Sequence, residues 1–236
     1  MLPVLYQDRH LVAIHKPAGL LVHRTDLDRH ETRFAVQMLR EQLGVRVWPV
    51  HRLDRGTSGV LLFALDADTA RLLGQQFEAG SVAKTYLAVV RGHPPEAGCI
   101  DHPLSRRYDD REGQADRSVE AQPALTRYRR LATAELPVPV DRYPTSRYAL
   151  LEIQPETGRR HQIRRHLKHI AHPVIGDATY GKGRHNRMFA ERFGCARLLL
   201  ACTRLALLHP PSCQPLVVEA PLETDFQALL AALGWR

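Results

Sequence analysis

Lysine is scarce: of the 33 basic side chains in 236 residues, only Lys16, Lys84, Lys168 and Lys182 are not arginine. Cysteine is scarcer relative to what a scaffold needs, with Cys99, Cys195, Cys202 and Cys213 forming no CxxC and no tight framework. That excludes a disulfide-built fold and predicts free thiols in a reducing compartment. No apolar run approaches the ~18 residues needed to span a bilayer, and the start, MLPVLYQDRH, reaches charge by Asp8 without an apolar h-region. No signal peptide or membrane anchor is expected, and the predicted location is cytoplasmic. There is no GxGxxG fingerprint, no P-loop and no recognisable metal spacing, so neither cofactor nor metal is expected. No internal repeat or low-complexity linker divides the chain, which reads as a single domain over 1–236.

What is present is positive charge. Acids number 25, leaving a formal +8 and a pI near 9.7, while the hydrophobic fraction of 44% is that of an ordinary globular protein. Such a balance suits a polyanionic partner. Arginine's planar fork also grips phosphate and stacks on bases better than an ammonium does.

One stretch organises the rest: His51-Arg52-Leu53-Asp54-Arg55-Gly56-Thr57-Ser58-Gly59, running into Val60-Leu61-Leu62-Phe63-Ala64-Leu65. An acid between two arginines is followed by a turn of small residues and then a buried strand. Neighbouring positive charge favours the ionised carboxylate, which suits a nucleophile or base. Taken alone, Asp54 could equally cap a turn or join a surface ion pair.

Around this stretch the polarity pattern alternates strands and helices. Val4–Tyr6 and Leu11–His15 read as short strands before the turn Lys16-Pro17-Ala18-Gly19, and 31–43 reads as an amphipathic helix stopped by Gly44. A helix is predicted from a cap among residues 66–69 through Glu78, then a strand over 83–92. Between 93 and 123 little periodicity survives, giving two short strands at most and a mobile loop at 105–118 carrying Arg106, Arg107 and Arg111. Strands are expected at 126–133 and 148–154 around a proline-rich loop, and again at 197–210, with a terminal helix at 224–233.

The second cluster is the helix-like segment 157–173. Ile163, Leu167 and Ile170 recur at helical spacing, Pro173 ends it, and Arg159, Arg160, Arg164, Arg165 and Lys168 cover the remainder. A start just after Gly158 predicts free N–H groups facing an anion. The histidines at 161, 166, 169 and 172 raise a metal reading, but the interleaved cations oppose a dication and no Cys or acid shares the face. A polyanion-binding helix accounts for the same residues.

HRLDRGTSG resembles the active-site motif of the RluA-type pseudouridine synthases, and KPAG with Val22-His23, KTYLAVVRG, GRRHQIRRH and HPVIGDATYG resemble the family's other motifs in the same order. The resemblance runs from about Leu5 to Pro210. It implies an α+β pseudouridine synthase fold, with a mixed, mostly antiparallel central sheet and flanking helices around an active-site cleft. It implies Asp54 as the single catalytic carboxylate, Tyr86 against the target uracil, Arg164 paired with Asp54, and Leu200 in the wall of the uracil pocket. Arg52 is expected to hold or replace the extruded base. Lys16 and His23 fall in a motif that packs beneath the catalytic loop. Arg160 and Arg165 depart from the family pattern and add charge.

Within the family, RYPTSRY, HNR-x-F with a following FG, and the lack of an N-terminal S4-like domain look most like the enzymes of tRNA uridine 65. The implied partner is tRNA, with rRNA or another tRNA position as the alternative, and the resemblance implies a monomer with no obligatory protein partner. A rival reading is a catalytically silent RNA-binding or chaperone domain. A hydrolase would need a second acid that is not recognisable here.

Overall fold

The computed structural model describes residues 1–24, 31–105 and 120–235. Arg106, Arg107, Arg111 and nearly all of the expected 105–118 loop lie outside them. The chain divides into two compact units, Met1–Leu87 with Arg197–Arg236, and Ala88–Ala196.

The first unit is built on β4 (Ser58–Ala64), every residue of which is buried. A strand buried on both faces reads as a continuous apolar run, which is what Val60 to Leu65 offers. Antiparallel to it runs β2 (Leu11–Lys16), which in turn pairs with β1 (Val4–Gln7). The two-residue β3 (Trp48–Pro49) pairs with the far end of β4. On β4's first residues lies β9 (Leu200–Leu208), parallel, with Ser58 opposite Ala201 and Gly59 opposite Cys202. Finally β10 (Pro215–Glu219) pairs antiparallel with β9. The expected 197–210 strand is thus β9, while β3 and β10 are short additions that periodicity could not signal.

Three helices cover this sheet: α1 (Ala35–Leu43), α2 (Ala67–Glu78) and α5 (Thr224–Ala232). Helix α1 begins four residues later than 31 because Phe34 is its extended N-cap, buried in the core. The cap of α2 is Asp66, whose Oδ1 accepts the Thr69 N–H at 2.7 Å. Strand β5 (Ala83–Arg91) then carries the chain from the first unit into the second.

The second unit is an antiparallel meander of β6 (Ala97–Asp101), β7 (Leu125–Leu136) and β8 (Ser146–Pro155). Both β7 and β8 outrun the expected 126–133 and 148–154, since pairing persists to Leu136 opposite Ser146 and leaves only 137–145 as loop. Against them pack α3 (Gln162–His169) and α4 (Gly183–Phe193). The core gathers Tyr148, Leu151, Ile153, Leu167 and Phe189, all fully buried. No helix among the described residues is long and apolar enough to cross a membrane.

Candidate active site

Asp54 sits half-buried in a tight turn closed by the Thr57 N–H donating to the Asp54 carbonyl at 3.1 Å. Two features of the neighbouring KPAG turn hold this loop. The Gly19 N–H donates to the Arg55 carbonyl at 2.8 Å, and Lys16 Nζ donates to Pro17 O, Leu20 O and that same Arg55 O at 2.9, 2.7 and 3.1 Å. Lys16 is wholly buried. Burial pulls its pKa down to about 7 against the opposing pull of Glu223 and Asp54, yet three carbonyl acceptors match the three N–H bonds of an ammonium. The cage therefore fits the charged form. Lys16→Met, of similar length, is expected to lower unfolding free energy by about 1–3 kcal/mol as carbonyls lose their donor. Equilibrium denaturation checks this.

The arginines beside the acid divide their work. Arg55 turns away from the carboxylate, its Nε donating to Gly19 O at 3.1 Å and its Nη2 pairing with Glu31 at 2.5 Å. Arg52 is exposed. The sequence order alone had suggested that both cations serve the acid, but Arg55 serves the turn. His51 is equally structural: its Nε2 accepts the Leu62 N–H at 3.0 Å, its ring stacks on Phe77, and burial with nearby Lys84 depresses its pKa to about 3. It is a neutral acceptor for one β4 amide.

Past the turn, Ser58 Oγ accepts from Arg197 Nη2 at 2.6 Å. That arginine is held by Glu223 and Asp225, and Glu223 also accepts the Ala18 N–H. Gly59 follows at φ +109°, where an added Cβ would lie 2.0 Å from Cys202 O. Only glycine lets β4 and β9 approach so closely immediately after the Asp54 turn.

Tyr86 is buried on β5. Burial raises its hydroxyl pKa well above the ordinary value, and contact with Cys202 and the negative charge of Asp54 raise it further. Tyr86 thus meets Cys202 and feels the charge of Asp54 within one unit. The Cys202 thiol is itself pushed up to about 12 by burial, so it stays protonated. Leu200, also buried, opens β9 one residue before the partner of Ser58. The structure therefore brings Asp54, Tyr86 and Leu200 to the same part of the first unit.

The cationic segment lies in the second unit. Its helix, α3, starts at Gln162, later than Gly158 suggested, because His161 takes a left-handed conformation with φ 54°. The Arg159 N–H is already taken by Gln162 Oε1 at 2.9 Å, so that group does not await an anion. Arg159 Nε donates to Pro123 O and Arg165 Nη1 to Ser105 O, at 3.1 and 3.0 Å. Arg160 and Lys168 are exposed.

Arg164 does not join the solvent-facing cations. It is 9% exposed and grips Asp177 with a bidentate fork, Nε to Oδ2 at 2.7 Å and Nη2 to Oδ1 at 2.9 Å. Asp177 Oδ1 also accepts the N–H groups of Thr179 and Tyr180, and the Arg164 guanidinium lies 5.1 Å from the Tyr180 ring. Asp177 and Tyr180 belong to the HPVIGDATYG segment, which was legible as a motif but carried no sign of which cation Asp177 holds.

Burial alone would raise the Asp177 carboxyl, but the Arg164 fork and the two amides outweigh it and hold the pKa below the ordinary 3.8. A depressed folded value means the group's stabilisation is present above the unfolded pKa and disappears as pH falls through the lower folded one. Thermal melts from pH 7 to 2 should show a drop below about pH 4 that shrinks in Asp177→Asn. An equally steep drop in the variant would assign the loss to other carboxylates.

Comparison with known proteins follows the same outline. Residues 10–169 match the family model described as RNA pseudouridylate synthase. The chain is 49% identical to "tRNA pseudouridine synthase C" of Vibrio cholerae, across 100% of this chain and 97% of that protein. It is 48% identical to the protein of the same description from Yersinia pestis, across 100% of this chain and 92% of that one. Among solved structures, "Human RNA Pseudouridylate Synthase Domain Containing 4" superposes with a TM-score of 0.73 at 30% identity, covering 98% of this chain and 93% of the human one.

Proposed function

The chain belongs to the RluA-type RNA pseudouridylate synthases and isomerises uridine to pseudouridine in RNA; from that premise we propose that its substrate is tRNA, modified at uridine 65, with Asp54 as the one catalytic carboxylate. The observation that carries this reading is that the charge of Asp54 reaches buried Tyr86 in the same unit that holds buried Leu200. The tRNA assignment is supported by relatives described as tRNA pseudouridine synthase C.

Pseudouridine formation breaks the N1–C1′ bond, turns the uracil and joins C5 to C1′, while the proton on C5 is given up and N1 gains one. Electrons and atoms are conserved within the nucleotide, so these residues carry the reaction without a cofactor or metal. A base inside a paired arm must first be extruded, costing a few kcal/mol of stacking. Exposed Arg52 holds the extruded nucleotide or fills its place. Tyr86 and Leu200 wall the uracil, and Arg164 orients the Asp54 carboxylate. Arg159, Arg160, Arg165 and Lys168 supply cations for the RNA backbone. Asp54 acts on the ribose, at C1′ as nucleophile or at C2′ as base. Deuterium at C2′ separates the two, because only proton removal gives a primary isotope effect.

The protein is assigned to the cytoplasm and works as a monomer and a single catalytic domain. Mapping pseudouridines in tRNA and rRNA from cells with and without the gene tests the substrate. Loss of the modification at tRNA position 65, restored by the parent gene, is expected. Loss at an rRNA site alone overturns the tRNA assignment, and no loss in either class favours a silent RNA binder.

A further inference from the structure

The hairpin loop 137–145 between β7 and β8 contains Asp141-Arg142-Tyr143, with an exposed ring at Tyr143. Tyr143 is 58% exposed. Arg142 covers it, with the guanidinium carbon 4.8 Å from the ring centroid and Nη2 donating to the tyrosine hydroxyl at 2.7 Å. An aromatic ring left in solvent on a loop, beside arginine, has the chemistry of a base-stacking platform.

This loop is held by a device that a plain surface loop does not need. Tyr148 on β8, fully buried, shares a 2.8 Å hydrogen bond with His185 Nδ1 on α4, and His185 Nε2 reaches Asp141 Oδ2 at 3.1 Å. A carboxylate only accepts, so Nε2 carries the hydrogen, and Nδ1 accepts the Tyr148 O–H. Polarity therefore runs one way through the relay, from buried hydroxyl to loop carboxylate. The Tyr148 ring is also packed edge-on against Phe189 at 4.7 Å. From the other side Ser146 Oγ donates to Val138 O, and Arg147 pairs with Glu135. Around Asp141 stand Arg91 and Arg184, at 3.7 and 3.8 Å. Arg184 is 76% exposed at its side chain, and Lys182 and Arg187 on the same segment are exposed as well.

Arg142, Tyr143 and Tyr148 come from the RYPTSRY segment and His185 from HNR-x-F, neither of which holds a residue assigned to the chemistry. The relay links the two segments and leaves the Tyr143 ring in solvent. We propose that the 137–145 loop is an RNA-docking platform separate from α3, on which Tyr143 stacks an unpaired base while Arg142 and Arg184 take the adjoining phosphates. This rests on RNA being the substrate.

The test titrates the full-length protein with two probes, a labelled unmodified tRNA transcript and an rRNA stem-loop fragment. Tyr143→Ala is expected to weaken binding of the preferred probe roughly ten-fold or more. KM should rise in step, with kcat at saturating RNA changed by less than about two-fold. Tyr143→Trp should retain affinity and show indole quenching on RNA addition. Arg184→Gln should reduce the salt dependence of binding by about one phosphate contact. Tyr148→Phe, which removes only the hydroxyl at the base of the relay, should raise KM without a matching loss in kcat, a split that general destabilisation does not produce. Binding of both probes by Tyr143→Ala within about two-fold of the parent, with no quenching in Tyr143→Trp, would overturn the platform. If Tyr143→Ala weakens only the rRNA fragment, the platform stands and the tRNA assignment falls.

Discussion

Asp54→Asn is expected to lower pseudouridine formation by on the order of 10⁴ or more, the scale seen when a nucleophile is removed from an otherwise intact site. Affinity for RNA should stay near that of the parent, because most binding energy comes from phosphate contacts elsewhere. The substitution is close to isosteric, and the turn that holds residue 54 is closed through its backbone carbonyl to the Thr57 N–H. Lys16 grips the loop at Arg55 O, a backbone acceptor that the substitution leaves in place. Fold and loop position should therefore survive. Single-turnover product formation and filter-binding on the same RNA separate the two effects. A variant that still isomerises near the parental rate would remove Asp54 from the mechanism, and with it the proposed site.

Arg164→Ala is expected to cost about 3–5 kcal/mol of stability, since it strands a buried carboxylate that has lost its partner. The partner is Asp177, whose side chain has no exposed surface and whose two oxygens both meet the Arg164 fork. A rate loss in Arg164→Ala measured without regard to folding would mix two causes. The double variant Arg164→Ala/Asp177→Ala resolves them, because removing both charges should recover part of the stability. Turnover corrected for the folded fraction should stay low in both, as the positioning role assigned to Arg164 requires. Denaturant midpoints for the two single variants and the double variant measure the coupling. An Arg164→Ala protein as stable as the parent would show that the Asp177 pair contributes little. Full activity in the folded double variant would exclude the positioning role.

Much of this protein was legible from local pattern. A run such as Val60 to Leu65 can hardly be anything except a strand buried on both faces, and β4 is that strand. Asp66 before a helical period predicts a capped helix, and α2 has that cap. The family motifs identified the chemistry because they are short, contiguous and hardly degenerate. Strand lengths were less legible: β7 and β8 continue to Leu136 and Ser146 because each supports the other, a cross-strand effect invisible in either segment alone.

Side-chain partners were decided by tertiary structure, for a physical reason. A long cation such as Arg55, Arg164 or Lys16 samples several ångströms around its Cα, and its spacing in sequence says nothing about which acceptor will lie within that reach. Packing placed Glu31 and Gly19 beside Arg55, Asp177 beside Arg164, and three carbonyls around Lys16. It likewise made His51 a neutral acceptor and joined Tyr148, His185 and Asp141 in one relay. By itself the sequence determined the family, the core strands and which residues were available for chemistry. Which charges meet, which are buried, and which remain facing solvent for RNA depended on distances that only the folded chain sets.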